Sequence, residues 1–222
     1  MRVVGGSLKG RPLTAPAGDG TRPTHDRVRE ALMSSISSLG PWFEDAVVLD
    51  AFAGSGALGI ECVSRGARLA LLCERDAAAQ RAILANLSRC QLGREQACLV
   101  RGDVFRQVDR LATHRFDLVL LDPPYALRPA CALSVVQALA ARDALAAPAL
   151  TVYEHDAARA DEAARAAEAL GMEVRALRRY GAASVLIARV ADAASLSVAA
   201  SQEGAAPSAC AAPSSRSCGS VE

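Results

Sequence analysis

Asp122, Pro123, Pro124 and Tyr125 close the stretch Phe116–Tyr125, FDLVLLDPPY. These four residues suit one chemical task. The exocyclic amine of a nucleobase is a poor nucleophile, because its lone pair is delocalised into the ring. Acceptors aimed at both N–H bonds localise that pair. Asp122 offers a carboxylate. The carbonyl of Pro123, fixed by its own ring and by Pro124, offers a second acceptor. Tyr125 offers a flat face on which an extruded base can stack. The plainer alternative is a strand that ends in a Pro-Pro turn beside an incidental tyrosine.

A second constellation lies upstream. An apolar run ends at Asp50 and leads into Ala51-Phe52-Ala53-Gly54-Ser55-Gly56. Gly54, Gly56 and Gly59 spell G-x-G-x-x-G, the fingerprint of a tight turn that brings backbone close to a nucleotide. Glu74 follows Asp50 by 24 positions, about where an acid that binds ribose is expected. A nicotinamide-dependent enzyme fits these features. Three others point away from it. A carboxylate at Asp50 repels a pyrophosphate but suits a sulfonium with an α-amino group. Asp-Pro-Pro-Tyr has no task in hydride transfer. A helix and the element Thr21-Arg22-Pro23-Thr24 precede the glycine turn.

These residues need elements to hold them. Leu118–Leu121 is a short apolar run suited to a central parallel strand, and the two prolines must end it. Asp122 is thereby placed at a carboxyl strand end, where open α/β sheets bind ligands. Further apolar strands are expected over Ala46–Asp50, Leu69–Cys73, Ala97–Val100 and Ala149–Tyr153, with helices between them. Asp76 can cap a helix running to about Cys90, and Pro129–Ala140 reads as another. Glu173–Leu177 and Ala183–Ala188, split by Tyr180-Gly181, form a terminal hairpin. The expected fold is α/β: a doubly wound, seven-stranded, mostly parallel sheet with an antiparallel C-terminal edge hairpin. Residues 1–40 are expected as a small β-hairpin and helix, 41–190 as the main domain, and 191–222 as a disordered low-complexity tail.

Composition sets the outer bounds. The chain has 222 residues, is 51% hydrophobic and carries a formal net charge of +1, so bulk charge announces no nucleic acid. Residues 1–30 nonetheless hold six basic residues against three acids. The seven cysteines form no C-x-x-C pair and match no zinc spacing. No signal peptide and no membrane span is legible. A reduced, cytoplasmic, monomeric protein without a metal is expected.

MRVVGGSLKGRPL, TRPTHDRVREAL, LDAFAGSGALGIECVSRGA, FDLVLLDPPY and RRYGAASVL occur in that order. Together they resemble the bacterial class I methyltransferases that modify guanine N2 in 16S ribosomal RNA of the small subunit. The likeness runs from Arg2 to about Arg189. His25 departs from an expected threonine, and Leu8 from an aromatic. The resemblance implies S-adenosylmethionine as cofactor. It implies a cofactor site of Asp50, Phe52, Ala53, Gly54, Ser55, Gly56, Glu74, Arg75, Asp103, Val104 and Asp122. Asp122, Pro123, Pro124 and Tyr125 would hold the target amine. Arg2, Lys9, Arg11, Arg22, Thr24 and Tyr125 would meet the RNA, within an assembling small subunit. A DNA adenine or cytosine amino-methyltransferase shares Asp-Pro-Pro-Tyr but needs a sizeable target-recognition region. A non-catalytic assembly factor has no use for Asp122 and Tyr125.

Overall fold

A computed structural model describes residues 1–16, 26–191 and 196. Helix α1 (Asp26–Ser38) precedes a regular alternation: β1 (Val47–Asp50), α2 (Ala57–Ser64), β2 (Leu69–Glu74), α3 (Ala77–Cys90), β3 (Ala97–Arg101), α4 (Val104–Leu111), β4 (Phe116–Leu121), α5 (Pro129–Ala140) and β5 (Leu145–Asp156). A 3-10 turn (Ala157–Arg159), α6 (Ala160–Ala169), β6 (Glu173–Tyr180) and β7 (Ala183–Val190) follow. The seven strands form one sheet in the order β3-β2-β1-β4-β5-β7-β6. β1 to β5 are parallel, while β7 pairs antiparallel with both β5 and β6. The expected doubly wound sheet with an antiparallel C-terminal hairpin is the observed one.

The sheet is covered on both faces, which is why its central strands are apolar throughout. On one face Leu49, Val119 and Leu121 pack with Val104, Leu111, Leu133 and Val136 from α4 and α5. On the other, Val48, Leu118 and Leu120 pack with Leu32 and Ile36 of α1 and Ile60 of α2. β6 closes the sheet as a largely exposed edge, with Leu177 44% exposed. Strand β5 is longer than its apolar core predicts, because its first residues pair with Phe116 before a register shift. Leu196, the one residue described beyond Ala191, is buried against the first of these faces. The rest of the expected tail lies outside the described residues.

The N-terminal hairpin is smaller than expected. Regular strands do not form; a single antiparallel bridge joins Arg2 and Pro12. Backbone hydrogen bonds flank that pair, from Val3 N to Arg11 O and from Leu13 N to Met1 O, each at 2.9 Å. Docking on α2 holds the segment as well. Val4 N donates to Glu61 Oε2 at 2.8 Å, and Leu8 N donates to Ser64 Oγ at 2.9 Å. Val3 and Leu13 are buried in the same cluster as α1 and α2. Glu61 and Ser64 both lie on α2, a helix with every residue buried, so the hairpin is its second wall.

Candidate active site

Five acids stand at or just past the carboxyl ends of the parallel strands: Asp50, Glu74, Asp103, Asp122 and Glu154. The strand order runs outward from β1 to β2 and β3 on one side, and to β4 and β5 on the other. β1 and β4 therefore flank the switch point, where a crevice must open. Asp50 is paired with Leu120 in the sheet, and Ala51 N donates to Leu120 O at 3.0 Å. Asp50 and Asp122 thus meet across that crevice from neighbouring strands.

The loop between β1 and α2 has the shape its sequence predicts. Gly54 sits at φ 53°, and a Cβ there would meet nothing within 4 Å. Its open side faces a space that a ligand can fill. Gly59 has the opposite reason to be glycine. A Cβ there would lie 2.2 Å from Leu72 Cδ2, so it permits close packing of α2 on β2. Ala53 N donates to Cys73 O, and Phe52 packs edge-on against Phe105 at 6.2 Å.

Asp50 is 1% exposed, and its Oδ2 accepts from Gly59 N at 3.0 Å. Its Oδ1 has no hydrogen-bond partner among the described residues. Burial pushes its pKa up to about 7, and Glu74 adds a smaller push against the pull of the Gly59 hydrogen bond. A buried carboxylate with one orphaned oxygen is matched by a ligand that brings a cation and an N–H donor. The α-ammonium and sulfonium of S-adenosylmethionine provide both, so the residues present fit that cofactor.

Glu74 lines the same crevice but is already engaged. Its Oε2 accepts from Gly54 N and its Oε1 from Asp76 N, each at 2.8 Å. It therefore shapes the glycine loop. Asp103 caps α4 by accepting from Phe105 N at 3.1 Å, and its other oxygen lies 3.6 Å from Arg75 Nη1. Val104 is buried beside it. Asp76 caps α3 through Ala79 N, as expected.

Past β4 the chain leaves the sheet at Asp122 and turns, with Leu127 N donating to Pro124 O at 2.9 Å. Pro123 is buried and Tyr125 half-buried. Pro123, Pro124 and Tyr125 line a tight surface depression, with no room for a water molecule, together with Leu127, Tyr153, Glu154, His155, Asp156 and Arg159. Burial, then the charges of Glu154 and Asp50, raise the Asp122 pKa well above its ordinary value.

Asn86 was not legible as a site residue. It lies on α3, is 0% exposed, and ties three groups together. Its Oδ1 accepts from Thr14 N at 2.8 Å, and its Nδ2 donates to Thr14 O at 3.0 Å and to Ser55 O at 2.9 Å. The glycine loop is thereby fastened to the N-terminal segment. Met1 Sδ adds a weaker contact to Ser55 Oγ at 3.8 Å. Of the expected RNA contacts, Arg2 and Lys9 are exposed, whereas Arg11 Nη1 donates to Arg89 O at 3.1 Å. Arg22 and Thr24 lie outside the described residues. Among the described residues, no group of three or more His, Cys, Asp or Glu side chains could hold a metal, and no helix is long and apolar enough to cross a membrane.

Fold and crevice together define a class I S-adenosylmethionine-dependent methyltransferase. The family described as conserved hypothetical protein 95 matches residues 1–189, and the chain belongs to it. The rRNA methyltransferase-like protein YlbH of Bacillus subtilis is 42% identical over 56% of this chain and 67% of its own. Ribosomal RNA small subunit methyltransferase D of Escherichia coli K12 is 40% identical over 56% of this chain, which spans 60% of that relative's length. Among solved structures, the methyltransferase-like yhhF of Escherichia coli superposes with a TM-score of 0.67 at 28% identity, covering 87% of this chain and 98% of that one.

Asp50 should make both stability and cofactor affinity depend on pH. The folded protein keeps its proton up to about 7, whereas an unfolded chain releases it near the ordinary value of 3.8. The folded state binds more protons between those values, so its stability falls as pH rises through them. A cationic ligand reverses the preference by holding the ionised form. Product affinity should rise by up to about tenfold per pH unit below the folded pKa. Melting curves and calorimetry at pH 5.5 and pH 8 should show both trends in the wild type and weaker ones in Asp50→Asn, where the raised Asp122 still contributes.

Proposed function

We propose that this protein transfers the methyl group of S-adenosylmethionine to the N2 amine of a guanine in 16S ribosomal RNA. It acts as a monomer in the cytoplasm, on an assembling small subunit. The observation that carries this is the juxtaposition at the switch point. The Asp122–Tyr125 turn follows β4, whose neighbour β1 ends at Asp50 with its orphaned oxygen, and the charge of Asp50 acts on Asp122. The relatives named for small-subunit methylation supply the substrate class.

When bound, S-adenosylmethionine supplies an electrophilic methyl group. The chain does the rest by positioning and electrostatics. Asp122 and the Pro123 carbonyl accept from the two N–H bonds of the amine and direct its lone pair. Tyr125 holds the base by its face. The nitrogen gains the methyl carbon and then loses one proton, to Asp122 or to water. Mass spectrometry of 16S ribosomal RNA from a strain lacking the gene tests the assignment. One N2-methylguanosine should vanish and return on complementation. An unchanged guanosine profile would refute it.

The N-terminal segment supports the RNA half of the proposal. Its apolar underside is packed on α2, while Arg2 and Lys9 face outward. Basic groups on such a surface position a phosphate backbone without reading its sequence. Replacing Arg2, Lys9 and Arg11 together by alanine should raise the Michaelis constant for the ribosomal substrate. It should also flatten the salt dependence of RNA binding, by up to roughly one logarithmic unit of slope for each phosphate no longer neutralised. Product affinity, read by calorimetry, should stay constant. A loss of product affinity with an unaltered salt slope would make these three residues part of a structural lid instead.

A further inference from the structure

The stretch RRYGAASVL belongs neither to the glycine loop nor to the Asp122–Tyr125 turn, yet its own turn stands at the same edge of the sheet. β7 runs antiparallel to both β5 and β6, so β6 ends where the parallel strands end. Register fixes the level. Leu121 is paired with Tyr153, Glu154 with Val185, and Val185 with Arg178. Asp122, one residue past Leu121, therefore continues the cross-strand row that holds Arg178. Three strand spacings separate the two, about 14 Å along the sheet. Arg178 lies between Ala176 and Tyr180, which pack on the side that α1 covers, so it rises from that face and Arg179 from the other.

Charge differs between the two edges of the sheet. At the amino edge Arg115 pairs with Asp143, Arg142 with Asp109, and Arg175 with Glu173. At the carboxyl end of β6, Arg178 and Arg179 are exposed, and neither has an ion pair among the described residues. Asp156, level with Tyr180 across β7, instead accepts from Ala158 N at 2.9 Å and caps the 3-10 turn. The β6–β7 turn is firmly built. Ser184 Oγ donates to Arg178 O and Arg179 Nε to Gly181 O, each at 3.1 Å. Tyr180 OH lies 3.4 Å from Ser35 Oγ of α1. Gly181 takes φ 66°, and a Cβ there would meet nothing within 4 Å, so the turn is open to a ligand.

Fixed, unneutralised arginines are matched by a polyanion, and the guanidinium fork suits phosphate oxygens. A base drawn out to Asp122 leaves its own phosphates at the mouth of the crevice. The strand that carries it must then run away on both sides. The N-terminal segment flanks β1 through α2, whereas the β6–β7 turn flanks β5, so strand order puts them on opposite sides of Asp122.

We propose that Arg178 and Arg179 hold phosphates of the substrate RNA strand next to the extruded guanosine, across Asp122 from the N-terminal segment. This rests on the RNA-methylation reading above. It adds a second contact that positions the strand without reading its sequence.

The probe is a 16S ribosomal RNA segment containing the guanosine that the wild type methylates, with binding read by fluorescence anisotropy over a range of salt. Arg178→Ala combined with Arg179→Ala should bind about tenfold more weakly at low salt. Its logarithmic salt slope should be shallower by roughly 0.7 for each single-strand phosphate no longer neutralised. Lysine at both positions keeps the charge and should recover most of the slope. Arg175→Ala, which removes a charge already paired at the other end of β6, should match the wild type. Equal melting temperature and equal calorimetric affinity for S-adenosylhomocysteine show that each variant is folded. An unaltered slope in the folded double-alanine variant would overturn the proposal. So would wild-type affinity for the naked segment joined to weakened affinity for the whole small subunit, which would put a protein on this edge. If the wild type methylated no guanosine, the guanine assignment would fall, while a slope that still differed between wild type and double variant would uphold this contact.

Discussion

Asp122→Ala should cut turnover by about a hundredfold or more, equivalent to roughly 2.7 kcal/mol of lost transition-state stabilisation, while S-adenosylhomocysteine binds normally. The reason lies in how the site divides. In the proposed function Asp122, just past β4, meets the substrate, whereas Asp50 and the glycine loop to which it is hydrogen-bonded meet the cofactor. Removing the Asp122 carboxylate takes one preorganised acceptor from the amine and leaves Gly54, Gly59 and Glu74 where they are. It also removes a charge close to Asp50, so product affinity at neutral pH should hold or rise slightly. Asp122→Asn is the more discriminating partner. Its amide oxygen still accepts, so single-turnover rates should fall less than in alanine. Near-wild-type turnover in Asp122→Ala would show that Pro123 and Tyr125 suffice, and would take the central role from the carboxylate. A pH profile adds a second readout. Because burial, Glu154 and Asp50 all raise the Asp122 pKa, the acceptor form is populated only as pH rises, and the wild-type rate should climb with pH.

Asn86→Ala should be the most damaging change outside the crevice. The side chain is fully buried and makes three hydrogen bonds, two to Thr14 and one to Ser55. Alanine leaves one N–H and two carbonyl groups without that partner. Each such loss costs about 1–3 kcal/mol, and water entering the space recovers part of it, so a total of about 3 kcal/mol is expected. For a chain of this length that lowers the melting temperature by roughly 5–10 °C. The effect should reach the cofactor, because Ser55 lies in the glycine loop. Product affinity should fall in Asn86→Ala at a temperature where the protein is still folded. A stability loss with unchanged product affinity would confine Asn86 to fastening the N-terminal segment.

How much of this was legible before folding depends on whether a residue acts through its own strand end or through a distant partner. The acids at strand ends and the glycine turn announce themselves, because a buried parallel strand must be apolar and must stop where polar groups begin. The boundaries of α2 and α5 follow from Gly56 and Pro129 in the same way. Asp103 shows the limit of that logic. An acid after a strand also caps the next helix, and here it does so. Glu61, Ser64 and Asn86 were not legible, since their partners are 57, 56 and 72 residues away in sequence. A signal did exist. Glu61 and Ser64 are the polar side chains of the buried ALGIECVS, and Asn86 lies between Ile83 and Leu87 on the inner face of α3. A polar side chain on a buried helix face must find a partner, so each marks a docking point whose identity only the fold reveals. At the N-terminus, two short extended runs around a glycine turn suggest paired strands, and they do pair, at Arg2 and Pro12, over too few residues for regular strands.

Purified small ribosomal subunits from a strain lacking the gene, incubated with this protein and S-adenosylmethionine bearing a deuterated methyl group, test the central claim most directly. Digestion to nucleosides and mass spectrometry should place the label in N2-methylguanosine, at one equivalent per subunit for the wild type and at background for Asp122→Ala. Label in N6-methyladenosine or N4-methylcytidine, or no transfer by protein that binds S-adenosylhomocysteine, would contradict it.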